Sequence, residues 1–210
     1  MVGQFRTGYS PLMSGTSDFP RKEIRSRQEL RDWLDANHAT GDTIWLVSFK
    51  KHVVEHYVPY GDLVEELLCY GWIDTRTQRL DDDRTMLLIA PRKPGSTWSA
   101  SNKKRVAKLE NAGLMASVGR VKIEKAKADG SWSFLDDVEN LVIPDDLSSA
   151  LAEDKAAHEA FESFTRSAKK VILLWIKTAK RSDTRAKRVS ETVRLAAKGV
   201  KAAHPEARGQ

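Results

Sequence analysis

The sequence predicts an α+β fold, with a small, mostly antiparallel sheet packed with helices and followed by a C-terminal helical module. Three observations predict it. Thr43–Lys50 (TIWLVSFK) is dense in β-branched and aromatic residues with apolar groups on both faces, as a central strand requires. Thr75–Leu80 and Thr85–Ala90 flank the acidic turn Asp81-Asp82-Asp83 as two strands of a hairpin. From Pro144 onward the apolar spacing is helical only.

In chain order, residues 1–20 lack periodicity and are rich in Gly, Ser and Pro, so they are expected to form a flexible leader. Ser26 and Glu29 have capping-box spacing ahead of Leu30, Trp33 and Leu34, which predicts a helix over 27–37. After the Thr43–Lys50 strand, Val53–Val58 is read as a hairpin partner that Pro59 ends. Asp62 is expected to cap a helix carrying Leu63, Val64, Leu67 and Leu68, with Gly71 as its left-handed C-cap. Beyond Pro91, Pro94 and Gly95, either Ser99 or Ser101 caps a basic helix through Leu109, and Ser117–Ala128 forms another. Pro144-Asp145-Asp146 starts the first C-terminal helix. Ala157, Phe161 and Phe164 mark a second, Val171, Leu174, Trp175 and Thr178 a third, and Ser182-Asp183-Thr184 caps a fourth with Val189, Val193 and Ala196. The expected organisation is a leader over 1–20, an α+β module over 21–140, a helical module over 141–200 and a basic tail over 201–210. The two modules are able to share one core.

Composition narrows the function classes. The longest apolar stretch, Val171–Ile176, is far too short to span a bilayer, and no signal-peptide pattern opens the chain. With one cysteine, Cys69, no internal disulfide can form, and the expected compartment is the cytoplasm. Charge is unevenly spread: residues 165–210 hold 13 Lys/Arg against 3 Asp/Glu, a surplus of +10, whereas the whole chain is +6. That surplus is either an anion-binding surface or a solvated helix face.

Several motifs in fixed order resemble the bacterial YdeI/OmpD-associated, or bacteriocin-protection, family. They are Leu46-Val-Ser-Phe-Lys-Lys51, Glu65-Glu-Leu-Leu-Cys-Tyr-Gly-Trp-Ile-Asp74 and Pro91-Arg-Lys-Pro-Gly-Ser-Thr-Trp-Ser-Ala-Ser-Asn102. Further matches are Ala126–Trp132, Pro144-Asp-Asp-Leu147 and Thr178-Ala-Lys-Arg-Ser-Asp-Thr-Arg185, so the resemblance runs from about residue 24 to 200. It implies a role in bacteriocin protection or stress tolerance, with no settled reaction or catalytic residue. One departure is that the family's Ser-Gly turn after the Lys pair is replaced here by His52-Val-Val-Glu-His56.

Two clusters are candidate binding groups. In the first, Lys50, Lys51, Arg76, Arg79, Arg92 and Lys93 supply cations near strand ends, where arginine suits carboxylate or phosphate. Trp72, Trp98, Asp74, Ser96 and Asn102 would complete that pocket, unless both indoles are core and Arg92 pairs with Asp74. The second cluster is the basic patch Lys180, Arg181, Arg185, Lys187 and Arg188. It suggests a nucleic-acid or anionic-partner module, although no recognised nucleic-acid motif accompanies it. A small anion or a protein is the other class of partner expected.

Catalytic and metal readings have less behind them. His52 and His56 with Glu55 match an inverted zinc-peptidase spacing, but that chemistry needs a helix and this segment is read as a strand. Cys69 sits among apolar neighbours, as a buried small hydrophobe does. Asp81–Asp83 reads as a solvated turn. No phosphate loop or other cofactor motif is present, so no cofactor is expected, and a hydrolase using Asp74, Cys69 or the His pair remains the remaining alternative.

Overall fold

The computed structural model describes residues 19–203, so the leader expected over 1–20 lies, except for Phe19 and Pro20, outside the described residues. The described chain forms two compact units. One holds the residues up to Arg92 together with Leu114–Arg120, and the other holds Lys93–Gly113 and the residues from Val121 onward.

The first unit is built on a four-stranded sheet of order β1-β2-β4-β3, formed by β1 (Arg21–Glu23), β2 (Ile44–Phe49), β3 (Trp72–Arg79) and β4 (Arg84–Pro91). β1 runs parallel to β2, and the other pairings are antiparallel. Ile44 to Ser48 are all buried, because β2 is paired on both edges. Registers Trp45↔Leu88 and Val47↔Met86 put those four side chains on one face, where they form a buried cluster with Phe19 and Leu80 against it. The hairpin turn is held by Asp81 Oδ1, which accepts from the Asp83 and Arg84 amides at 3.0 and 2.7 Å.

Two helices complete this unit. α1 (Arg27–Asn37) is capped by Ser26, whose Oγ accepts from Glu29 N at 3.1 Å, while Glu29 Oε2 accepts from Arg25 N at 2.9 Å. The reciprocal bond thus lands one residue before the cap. α2 (Tyr60–Cys69) begins after Pro59, not at a cap by Asp62. Asp62 lies in its first turn, where a carboxylate still favours the helix dipole. Gly71 has φ 69°, the conformation that turns the chain from α2 into β3.

The expected hairpin partner Val53–Val58 is not a strand. A 3-10 turn covers Val54–His56, with Val54 81% exposed. The physical reason is that β1 and β4 already occupy both edges of β2, leaving the β-branched valines no ladder to join.

The second unit is helical. α3 (Ala100–Asn111) is capped by Ser99, and α4 (Ser117–Ala128) begins within the first unit's Leu114–Arg120 segment. Then follow α5 (Asp136–Glu139), α6 (Asp145–Ala152), α7 (Lys155–Ser163), α8 (Arg166–Lys177) and α9 (Ser182–Ala196). Asp154 and Thr165 cap α7 and α8 through their side chains. Leu147, Leu151, Phe161, Ile172, Ile176 and Leu195 lie in one buried cluster. The stripe expected on α8 is out of phase, since Ala168, Ile172, Leu173 and Ile176 are buried whereas Val171 and Leu174 are 43% and 37% exposed. A continuous apolar run admits both stripes, and packing selects one. Ser182 is the first residue of α9 rather than its cap, which is Arg181.

Candidate functional site

Seven candidates of the first cluster fall in the first unit, namely Lys50, Lys51, Trp72, Asp74, Arg76, Arg79 and Arg92. Trp72, 1% exposed, packs edge-on to Trp33 at 5.7 Å between ring centroids, and among the described residues its Nε1 has no acceptor. Arg92 is 3% exposed; desolvation pulls its pKa down to about 10 against the attraction of Asp74, which leaves it charged at neutral pH. Asp74 accepts from Tyr60 Oη at 2.6 Å. A register shift lies between Asp74 and Arg76, and Arg76 is exposed beyond it.

Ser96, Trp98 and Asn102 belong to the second unit. Trp98 is 1% exposed and packs on Trp132 at 5.0 Å, so this indole is core. Lys103 and Lys127 lie over the Trp132 ring at 5.4 and 5.8 Å. The Asn102 amide supplies the N–H that Ser99 Oγ accepts.

A cleft of about 220 Å³ does open in the first unit, beside Lys50 and Lys51. Lys50 Nζ donates to the Asp81 and Asp82 carbonyls at 2.7 and 2.9 Å. Tyr57, Tyr60, Thr77 and Ser48 also line it. None of these four was a sequence candidate. The signal for Ser48 was present, as the one hydroxyl in the otherwise apolar strand IWLVSF.

His52 and His56 do not converge. His52 Nε2 lies 2.9 Å from Asp83 Oδ1, while His56 packs on Phe49 at 5.1 Å. Among the described residues no group of three or more His, Cys, Asp or Glu side chains is placed to hold a metal ion. Cys69 is fully buried, and desolvation pushes its thiol up to about 11.

In the second unit most of the basic patch is engaged. Arg185 donates to both Asp146 oxygens, Nε at 2.6 Å and a terminal nitrogen at 2.8 Å, and holds that carboxyl below its ordinary range. Arg188 donates to the Trp175 carbonyl and lies over the Trp175 ring at 5.2 Å. Arg181 is 3.5 Å from Asp183, and Lys180 and Lys187 are exposed. A cleft of about 340 Å³ runs beside Arg185, floored by Val138, Ile143 and Leu173 and edged by Val142 and Lys177. A second cleft, lined by Asp146, Ser182 and Val189, shares Arg185 as its wall.

Among these C-terminal helices the clefts combine charged residues, Arg185 and Lys177, with apolar ones, Val138, Ile143 and Leu173. Residues 140–199 match the model of the family described as "Bacteriocin-protection, YdeI or OmpD-Associated", and the chain therefore carries a domain of that family. Residues 22–122 match a domain of unknown function (DUF8412). Of the motifs behind the resemblance, those at 144–147 and 178–185 fall in the first match and those at 46–51, 65–74 and 91–102 in the second. No curated protein and no solved structure matches the chain. No helix of the described residues is long and apolar enough to cross a membrane.

Proposed function

We propose that the protein is a bacterial cytoplasmic binding protein that raises tolerance to bacteriocins or related antimicrobial stress by holding a partner on its C-terminal helices. The observation that carries this reading is the Asp146–Arg185 pair. Asp146 lies in one motif and Arg185 in another, 39 residues apart; Arg185 lines both clefts and Asp146 the second, mostly inside the segment whose family is described by bacteriocin protection. The limits of the two family matches, 122 and 140, also support reading 21–140 and 141–200 as separate modules. A nucleic-acid module acting through the basic patch has less support, because the guanidiniums of Arg185 and Arg188 are held by acceptors within the unit.

The test is expression of the chain in a bacteriocin-sensitive bacterium, with the minimum killing dose measured for pore-forming and nuclease bacteriocins. The dose should rise, and Val142→Glu should abolish the rise at equal protein level, since Val142 is 54% exposed at the cleft edge. An unchanged dose for every toxin refutes the reading.

A further inference from the structure

The first unit's cleft has features that the tolerance reading does not use. Ser48 is 3% exposed and lines the cleft, the one hydroxyl in an otherwise apolar strand. A hydroxyl at a cleft wall both donates and accepts, so it can hydrogen-bond a molecule bound there. Lys50 and Lys51 stand at the same cleft, and among the described residues lining it none is acidic. Lys50 spends two of its three N–H donors on backbone carbonyls, so its charge is fixed in place with one donor left. Of the nearby turn carboxylates, Asp81 and Asp82 are ion-paired with Arg84 and Arg79, and Asp83 lies 2.9 Å from His52 Nε2.

The remaining lining is apolar and aromatic. Phe49, Val58, Leu63 and Leu87 contribute, and Tyr57 and Tyr60 are 37% and 54% exposed. Tyr60 donates to Asp74, which fixes its ring as a wall and leaves Ser48, Thr77 and Tyr57 as hydroxyl donors. Cations and donors with no acid select an anion, and an apolar wall selects an organic body. Size limits that body, since a cavity of about 150 Å³ accepts benzene, and this cleft is about 220 Å³.

We propose that this cleft is a binding site for a small organic anion, one ring or an equivalent branched chain bearing a single carboxylate or phosphate. The anionic group lies against Lys51, the remaining Lys50 donor and the Ser48 hydroxyl, and the body lies against Tyr60 and Leu87.

The experiment is a ¹⁵N–¹H NMR titration of the full chain with benzoate, phenyl phosphate and benzyl alcohol. Benzoate should give saturable shifts at amides of residues 48–51, 57–60 and 77–87, with benzyl alcohol at least about tenfold weaker, the weight of one hydrogen bond to a charged group. Tighter binding of phenyl phosphate than of benzoate would assign the phosphate form, and the reverse the carboxylate. Lys51→Glu, at an exposed position, should weaken benzoate at least about tenfold with unchanged melting. Ser48→Ala should weaken it too, without lowering the melting temperature. Absence of saturable shifts with both anions, equal binding of benzyl alcohol, or indifference to Lys51→Glu each overturns the proposal.

Discussion

Arg31 is tied to Glu66 by a 2.8 Å charge-assisted bond, and its other terminal nitrogen donates to the Leu114 carbonyl at 2.7 Å. Glu66 is 2% exposed and also accepts from Arg27 Nε at 2.6 Å. One buried carboxylate thus joins α1 to α2, and Arg31 carries the linkage on to the Leu114–Arg120 segment.

Glu66→Ala should therefore be among the costlier single changes. Removing one partner of a buried ion pair costs about 3–5 kcal/mol, and the lower end applies because both arginines keep some solvent contact. Melting should fall by roughly 6–12 °C at this chain length, measured by circular dichroism. A shift under about 2 °C would show that the pair contributes little.

Gly119 should tolerate no side chain. A Cβ there would stand well inside van der Waals contact of the Cys69 carbonyl, which is backbone and cannot yield. Gly119→Ala should unfold the α4 start from α2, whereas Gly61→Ala, with open space around it, should be neutral or stabilising by about 0.4–1 kcal/mol. Denaturant midpoints of the two variants decide it, and equal midpoints would contradict the contact.

Cys69 should be inert. Its thiol is neutral at pH 8 because burial holds it near 11, so a disulfide-exchange reagent should label no thiol in the native protein and one after denaturation. The folded value lies above the ordinary 9.0, so the associated stability is intact below pH 9 and is lost as pH rises towards 11. Rapid native labelling at pH 8 would contradict the burial.

Mixed-sequence DNA or RNA should bind weakly at physiological salt, no tighter than the non-specific range of about 10⁻⁴–10⁻⁶ M. A fluorescence titration at two salt concentrations measures this. Submicromolar affinity that falls steeply with salt, and is reduced by charge reversal at Lys180 and Lys187, would instead favour the nucleic-acid reading.

Local chemistry made much of the fold legible. The Asp81–Asp83 turn, the Gly71 cap, the Ser99 cap and both ends of α4 are set by residues a few positions apart. What was missed depends on partners far along the chain. β1 is three charged residues that are a strand only because β2 offers an edge, and that same pairing denies Val53–Val58 a ladder. The cleft was half legible. Lys50 and Lys51 were visible as charges, but Ser48, Thr77 and Tyr57 meet them only once the strands and the 57–60 segment are in place.

The division of the chain into units bears on how such a protein can be dismantled by recombination. The backbone leaves the first unit at Lys93, returns for Leu114–Arg120 and leaves again. A fragment stopping at Arg92 would strip Arg31 of the Leu114 carbonyl and the Cys69 carbonyl of the Ala116 amide. A fragment beginning at residue 140 would detach Asp137 and Glu139 from Lys177 and Lys170. A cut at Arg92 or at residue 140 thus severs ties that a cut after residue 122 would leave whole.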